Sequence, residues 1–339
     1  MALQSFGDIN ALPEGCIANV LSLTSPKDAC RLSAVVSTFG SASRSDVVWG
    51  RFLPSDYREV IAAVNDPDVL LSQFRSKMDL YLYLSDHPIL IDGSRKSFSL
   101  EKSSGKKCYM IAARDLIIIW GDTPRYWRWI PLPESRFPEV AELLTVCRFE
   151  IRGKISTKML SPGTCYVAYL VFTLRAETTG LFRAETNGLH NNPAEVFVEL
   201  TGHERVKSWV FIDSDRSYQR MVEIAADVNA NDIRQPTPRG DGWMEVKLGE
   251  YFVEGGEHAD LEFGVLRMRH GYWKRGFICQ GIEVRPKAAA LPSSSGLASR
   301  IRTFILRERG RYKRGPYGSR RNPIDSYATV NQLEGKATY

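Results

Sequence analysis

Four large aromatic rings surround one tight turn in Trp120-Gly121-Asp122-Thr123-Pro124-Arg125-Tyr126-Trp127-Arg128-Trp129. An indole or phenol couples a broad apolar face to a polar tip. Rings grouped at a loop can therefore stack on the apolar face of a sugar while nearby carboxylates and amides bind its hydroxyls. Such rings also build cores, and spacing alone leaves both uses open for Trp120, Trp127 and Trp129. Bond-making chemistry has less support. His87, His190, His203, His258 and His270 lie far apart, no His-Glu-x-x-His or Gly-x-Ser-x-Gly occurs, and Gly105-Lys106 lacks the upstream glycine of a phosphate-binding loop. Glu150 and Glu199 are the kind of carboxylate pair a glycosidase needs, yet soluble sheets routinely carry acids on their wet face. Cys16, Cys30, Cys108, Cys147, Cys165 and Cys279 are scattered without metal-ligand spacing. No catalytic residue, metal or cofactor is expected.

The segments that must hold the aromatic turn read as strands. Runs at 116–120, 147–155, 165–172, 196–200, 243–248, 261–266 and 277–284 are rich in β-branched and aromatic residues, divided by Gly, Pro, Asn and Asp clusters. Their number and spacing predict an antiparallel sandwich between Tyr109 and Lys287. Residues 139–144 alone read as a helical turn. The near-duplication of 175–182 by 183–190 reads as a loop or hairpin insertion, since it does not extend into a repeat array.

Ahead of the strands, residues 12–52 read as short amphipathic helices. Pro13 stands at a first helical position, where its missing N–H costs nothing, and Leu12, Ile17, Val20 and Leu21 recur at helical spacing. Ser25-Pro26-Lys27-Asp28 supplies a capping hydroxyl, a second first-turn proline and an acid at the positive helix end. Ala29, Leu32, Val35 and Val36 follow it. A third helix is expected through Val47, Val48, Trp49 and Phe52. About forty residues rarely close a core without disulfides, metal or a docking surface, so these apolar faces predict a partner. From 55 to 107 a helical connector is expected, with helices near 57–64 and 70–78 separated by Asp66-Pro67.

A chain of 339 residues has room for about two domains plus linkers. There is no long apolar run, no basic-then-apolar leader and no Asn-x-Ser/Thr sequon, which with the scattered cysteines predicts the cytoplasm or nucleus. The net charge of +6 is localised: residues 288–339 hold ten basic side chains against three acidic ones, which leaves the body near neutral. The basicity is thus no argument for a nucleic-acid-binding body. In the tail, 291–296 reads as a flexible linker. Ile301, Phe304 and Ile305 with Arg300, Arg302, Arg307 and Arg309 fit a basic amphipathic helix for a membrane surface or acidic partner. Residues 309–321 also fit a nuclear-import or RNA-contacting patch, whereas Gly315, Pro316, Gly318 and Pro323 favour a solvated, disordered tail.

Residues 12–50, with Leu12-Pro13, an apolar helix, a Ser-Pro turn and a second helix leading to Trp49, resemble the F-box. The resemblance implies that Leu12, Pro13, Ile17, Val20, Leu21, Pro26, Leu32 and Val35 contact the Skp adaptor of a cullin-based ubiquitin ligase. Residues 113–116, Trp120 with 126–129, and 149–155, 169–172, 241–252 and 281–287 resemble the phloem protein 2 (Nictaba-like) lectin domain. Together the two resemble plant F-box proteins of the phloem protein 2 type. The lectin resemblance implies a jelly-roll-like β-sandwich that binds N-acetylglucosamine-containing glycans or N-glycan cores through Trp120 and Trp127. It also implies two ligand-binding carboxylates after Gly249-Glu250-Tyr251-Phe252. The first falls on Asp260 and the second on Arg267, which replaces an acceptor by an obligate donor.

The expected organisation is α+β multidomain: a tail at 1–11, an F-box of three short helices at 12–54, a helical connector at 55–107, an antiparallel sandwich at 108–287 and a basic tail at 288–339. Two roles remain open. One is a ligase subunit that recruits glycosylated targets; the other is a lectin-like binding protein whose helical front is merely structural.

Overall fold

The computed structural model describes residues 13–34, 37–175, 188–190, 192–213, 233–256, 258–268 and 271–288. Leu12, Val35, most of the near-duplication and the basic tail lie outside these described residues.

Four helices, not three, form the front. α1 (Glu14–Leu21) begins one residue after Pro13, which serves as N-cap and whose carbonyl accepts from the Cys16 and Ile17 N–H groups. α2 (Pro26–Ser33) carries the expected cap, with the Asp28 N–H donating to Ser25 Oγ at 3.1 Å and Pro26 in the first turn. α3 (Ser37–Ala42) is unexpected because Ser, Thr, Phe and Gly are modest or poor helix formers, and it is held by packing against α1 and α2 around buried Ala42. α4 (Asp46–Phe52) is the expected third helix, and it is capped by Ser45, whose Oγ accepts from the Val47 N–H.

This module does not wait for a partner to close its core. α5 (Tyr57–Ala62) and α6 (Pro67–Ser72) lead to α7 (Lys77–Asp86), whose Tyr81 ring meets Trp49 at 5.0 Å and Phe52 at 6.5 Å. The Trp49 indole donates to the Ser43 carbonyl at 2.6 Å, and the Tyr81 hydroxyl lies 3.2 Å from the Lys102 carbonyl. Ile17, Leu21 and Pro26 are consequently buried by this chain itself, Leu21 completely.

The second half of the expected helical connector is not helical. β1 (Ile89–Ile91) and β2 (Lys96–Leu100) form a hairpin, and β2 pairs with β3 (Lys107–Ala112), so both belong to the larger sheet. Lys107 is the joint. Its buried ammonium meets Asp56 at 2.8 Å, its N–H donates to Ser161 Oγ at 3.1 Å, and its carbonyl accepts from the Tyr166 hydroxyl at 3.0 Å. Gly105 beside it has φ 70°, and a Cβ there would stand 2.6 Å from the Phe52 carbonyl oxygen. Only glycine fits this approach.

The remaining strands are β4 (Ile117–Ile118), β5 (Trp127–Ile130), β6 (Val140–Leu143), β7 (Ile151–Ser156), β8 (Thr164–Leu174), β9 (Ala194–Leu200), β10 (Val206–Val210), β11 (Thr237–Pro238), β12 (Met244–Val253), β13 (Asp260–Met268) and β14 (Phe277–Pro286). They complete an antiparallel sandwich. One sheet runs β1-β2-β3-β14-β8-β12-β11, with β6 paired to β14 and β5 to β6, and the other runs β10-β9-β13-β7-β4. Phe277 anchors the interior, with Phe149 at 5.1 Å and Phe172 at 5.2 Å. β6 replaces the helical turn expected at 139–144. Val140, Ala141 and Leu143 are all buried, and Glu142 tolerates burial because Arg128 and Arg175 both bond its carboxylate.

On the outer face of the larger sheet, Glu283 receives Arg239 and Arg285, each at 2.7 Å, and Arg136 at 3.3 Å. Burial alone would raise this carboxyl, but Arg239, supported by Arg136 and Arg285, outweighs it and holds the pKa at about 2, below the usual 4.5. A carboxylate depressed on folding contributes its stability above the unfolded value and loses it as pH falls through the folded one. Urea melts should weaken progressively from about pH 4.5 to about pH 2. Glu283→Gln should lessen that acid sensitivity while costing about 3 kcal/mol at neutral pH, because Arg239 loses a buried partner.

Candidate functional site

β4 ends early because the chain turns away at Trp120, whose φ of 56° is in the left-handed region that bulky side chains rarely adopt. Two indoles pin the turn from within. Trp127 Nε1 donates to the Ile119 carbonyl at 3.1 Å, and Trp129 Nε1 donates to the Gly121 carbonyl at 3.1 Å. Trp127 is 1% exposed and faces Phe149 at 6.3 Å, so no face of its ring is open to a ligand. The ligand-facing place implied for Trp127 is therefore corrected to a core place. Trp129 is half-buried beneath the Arg114 guanidinium, 3.8 Å from its ring centre. Trp120 is 40% exposed and tilted against Tyr126 at 5.2 Å. An open indole backed by a second ring can stack on a sugar.

Asp260 does not join it. This residue starts β13 opposite Ser156 and pairs with Lys154 at 3.2 Å, whereas Trp120 follows Ile118, which lies opposite Ile151. Ile151 and Ser156 are the two ends of β7, so roughly 15 Å of strand separates Asp260 from the aromatic turn. Arg267, near the other end of β13, is at the same end of the sheet as Trp120 and bonds Glu195 at 2.6 Å. Burial pushes the Glu195 carboxyl up, but Lys207 and Arg267 win and lower it. The carboxylate at this end thus comes from β9 and is already held by two cations.

Sequence reasoning missed Tyr272 and Trp273, which are 66% and 55% exposed on the same end of the sandwich. Their signal was available: Gly271-Tyr272-Trp273 repeats the aromatic-beside-glycine pattern that marked Trp120. Among the described residues, no group of His, Cys, Asp and Glu suits a metal, and no helix is long and apolar enough to cross a membrane.

The second candidate surface is on the helices. Of the residues implied to contact an adaptor, Pro13 is exposed, Val20 and Leu32 are half-buried, and Leu32 packs against the chain's own core. Ile17, Leu21 and Pro26 are enclosed, which removes them from any surface; Leu12 and Val35 are outside the described residues. Leu23 and Val47, which the sequence did not single out for this role, are exposed instead, and Val47 shares a shallow hollow with Asn19 of α1 and Ser22 just after it.

Fold and surfaces together define a two-part, α+β protein: a short-helix module fused through a buried joint to an antiparallel β-sandwich with open aromatics at one end. The phloem protein 2 family profile matches residues 106–286. Putative F-box protein PP2-B2 of Arabidopsis thaliana is 43% identical over 279 residues, 81% of this chain and 82% of that protein. Putative F-box protein PP2-B12 of the same plant is 46% identical over 276 residues, 81% of this chain and 97% of that protein. The chain belongs to the plant F-box proteins of the phloem protein 2 family. Among solved structures, TmCBM61 in complex with β-1,4-galactotriose covers 51% of this chain and 87% of its own at 8% identity and a TM-score of 0.26, too low to bear on the argument.

The two tryptophans should separate in stability measurements. Trp127→Ala should destabilise the fold by about 3 to 5 kcal/mol through a core cavity, whereas Trp120→Ala should change the unfolding free energy measured in urea by about 0.5 kcal/mol or less.

Proposed function

We propose that this protein is the substrate-recognition subunit of an SCF-type ubiquitin ligase in the cytoplasm or nucleus. The helical module docks on the Skp adaptor and through it on the cullin. The sandwich captures targets that carry N-acetylglucosamine-containing glycans. The exposed apolar residues Val47 on α4 and Leu23 after α1, beside half-open Val20, carry the adaptor half of this reading, in a chain whose relatives bear the F-box name. Exposed Trp120 supports the glycan half. Such a subunit needs no nucleophile, since tethering raises the target's effective concentration at the ligase. The buried Lys107–Asp56 joint suits the task because it ties the two halves together.

One observation favours the second reading, a lectin-like protein without a ligase role: Tyr81 completes the helical core within the chain. Adaptor pull-down with the full chain separates the two. The native protein should be retained, and Val20→Asp with Val47→Asp should lose roughly a hundredfold in affinity, as expected for two apolar contacts, without a change in melting. Retention of the double variant would place the interface elsewhere, and no retention of the native chain would leave the lectin reading. A glycan array with native protein and Trp120→Ala tests the sugar half, with binding expected only for the native chain.

A further inference from the structure

Segment 144–150 crosses the end of the sandwich between two pairs of open or half-open aromatics. On one side, the Leu144 and Thr145 N–H groups donate to the Tyr126 carbonyl at 2.9 and 3.4 Å, and the Ile119 N–H donates to the Glu150 carbonyl at 3.1 Å. That side carries Trp120 and Tyr126. On the other side, Val146 and Lys274 exchange backbone hydrogen bonds of 3.0 and 2.7 Å. That side carries Tyr272 and Trp273. The two aromatic pairs are thus borne on backbones two hydrogen-bonded spacings apart, about 10 Å.

The second pair is held in place. The buried Lys274 ammonium donates to the carbonyls of Cys147 at 2.7 Å and Tyr272 at 2.8 Å, which ties the loop to the floor of the strip. Between the pairs, exposed Arg148 grips Glu150 through two hydrogen bonds, at 3.2 and 2.7 Å, and Arg152 bonds the other Glu150 oxygen at 2.6 Å. Phe149 between them points into the core, Arg148 is exposed, and the Glu150 side chain is only 12% exposed. The remaining Arg148 donors suit the oxygens of hydroxyl and amide groups. Rings at two places with hydrogen-bonding groups between them match a chain of sugars, whose apolar faces recur from unit to unit and whose hydroxyls lie along the edge.

We propose that Tyr272 and Trp273 form a second aromatic subsite, so that the sandwich recognises an extended glycan across 144–150 and not a single terminal sugar. This rests on the glycan reading of Trp120. Calorimetric titration of the full chain with β-1,4-linked N-acetylglucosamine oligomers, from the monosaccharide to the pentamer, tests it. Affinity should rise with length in the native protein. Trp273→Ala should remove roughly tenfold of the affinity for the longest oligomer while sparing the shortest ligand that binds, Trp273→Phe should restore most of it, and Trp120→Ala should abolish binding of every length. Length-independent binding, or a Trp273→Ala variant that keeps the native length dependence, overturns the second subsite and leaves the Trp120 reading standing. No binding of any oligomer to the native chain overturns both.

Discussion

A helical module of about forty residues has too little interior to hold itself together, and the way this chain meets that constraint shapes the whole molecule. Trp49 and Phe52 are completed by Tyr81 from the following helices, Tyr81 is anchored on the 101–102 carbonyls, and the loop carrying them runs directly into Lys107 and the first long strand. The buried side chains of the helices and of the sandwich therefore form one continuous core. A substitution at this joint would loosen both halves together, since a buried cation left without Asp56 is costly to either.

The aromatic end of the sandwich shows a division of labour within ten residues of sequence. Trp127 and Trp129 spend their N–H groups on the carbonyls of Ile119 and Gly121, which fixes the turn, and Trp120 is the ring left outside. Each carboxylate nearby is shared by two cations, Glu195 by Arg267 and Lys207 and Glu150 by Arg148 and Arg152, which leaves an excess of positive charge. The cations keep donors beyond those the carboxylates take up, and such donors suit the oxygens of a hydroxylated ligand.

Much of this was legible in the sequence where local chemistry and tertiary demand agree. The Ser25-Pro26 cap marks α2, the run Val47, Val48, Trp49 and Phe52 marks α4, and the apolar runs mark β8, β12, β13 and β14. It was illegible where packing overrides propensity. Val140-Ala141-Glu142-Leu143 contains good helix formers, yet two arginines and a neighbouring strand make it β6. The site was harder still. Trp120 and Trp127 have similar local surroundings and opposite fates, because the distinction lies in which indole reaches a carbonyl across the turn. Asp260 and Arg267 are close in sequence, but a strand carries them to opposite ends of the sheet. Pattern shows residue types at intervals; only topology shows which end each one reaches.

The left-handed backbone at Trp120 carries a consequence for the history of the protein. A bulky residue there stores roughly 1 kcal/mol or more of conformational strain that glycine would relieve. The position is thus under a standing bias toward loss of its ring. In a descendant released from any need for that indole, 120 is among the first sites where drift toward glycine or asparagine would be expected, so the residue found there becomes a sensitive record of whether the surface is still in use.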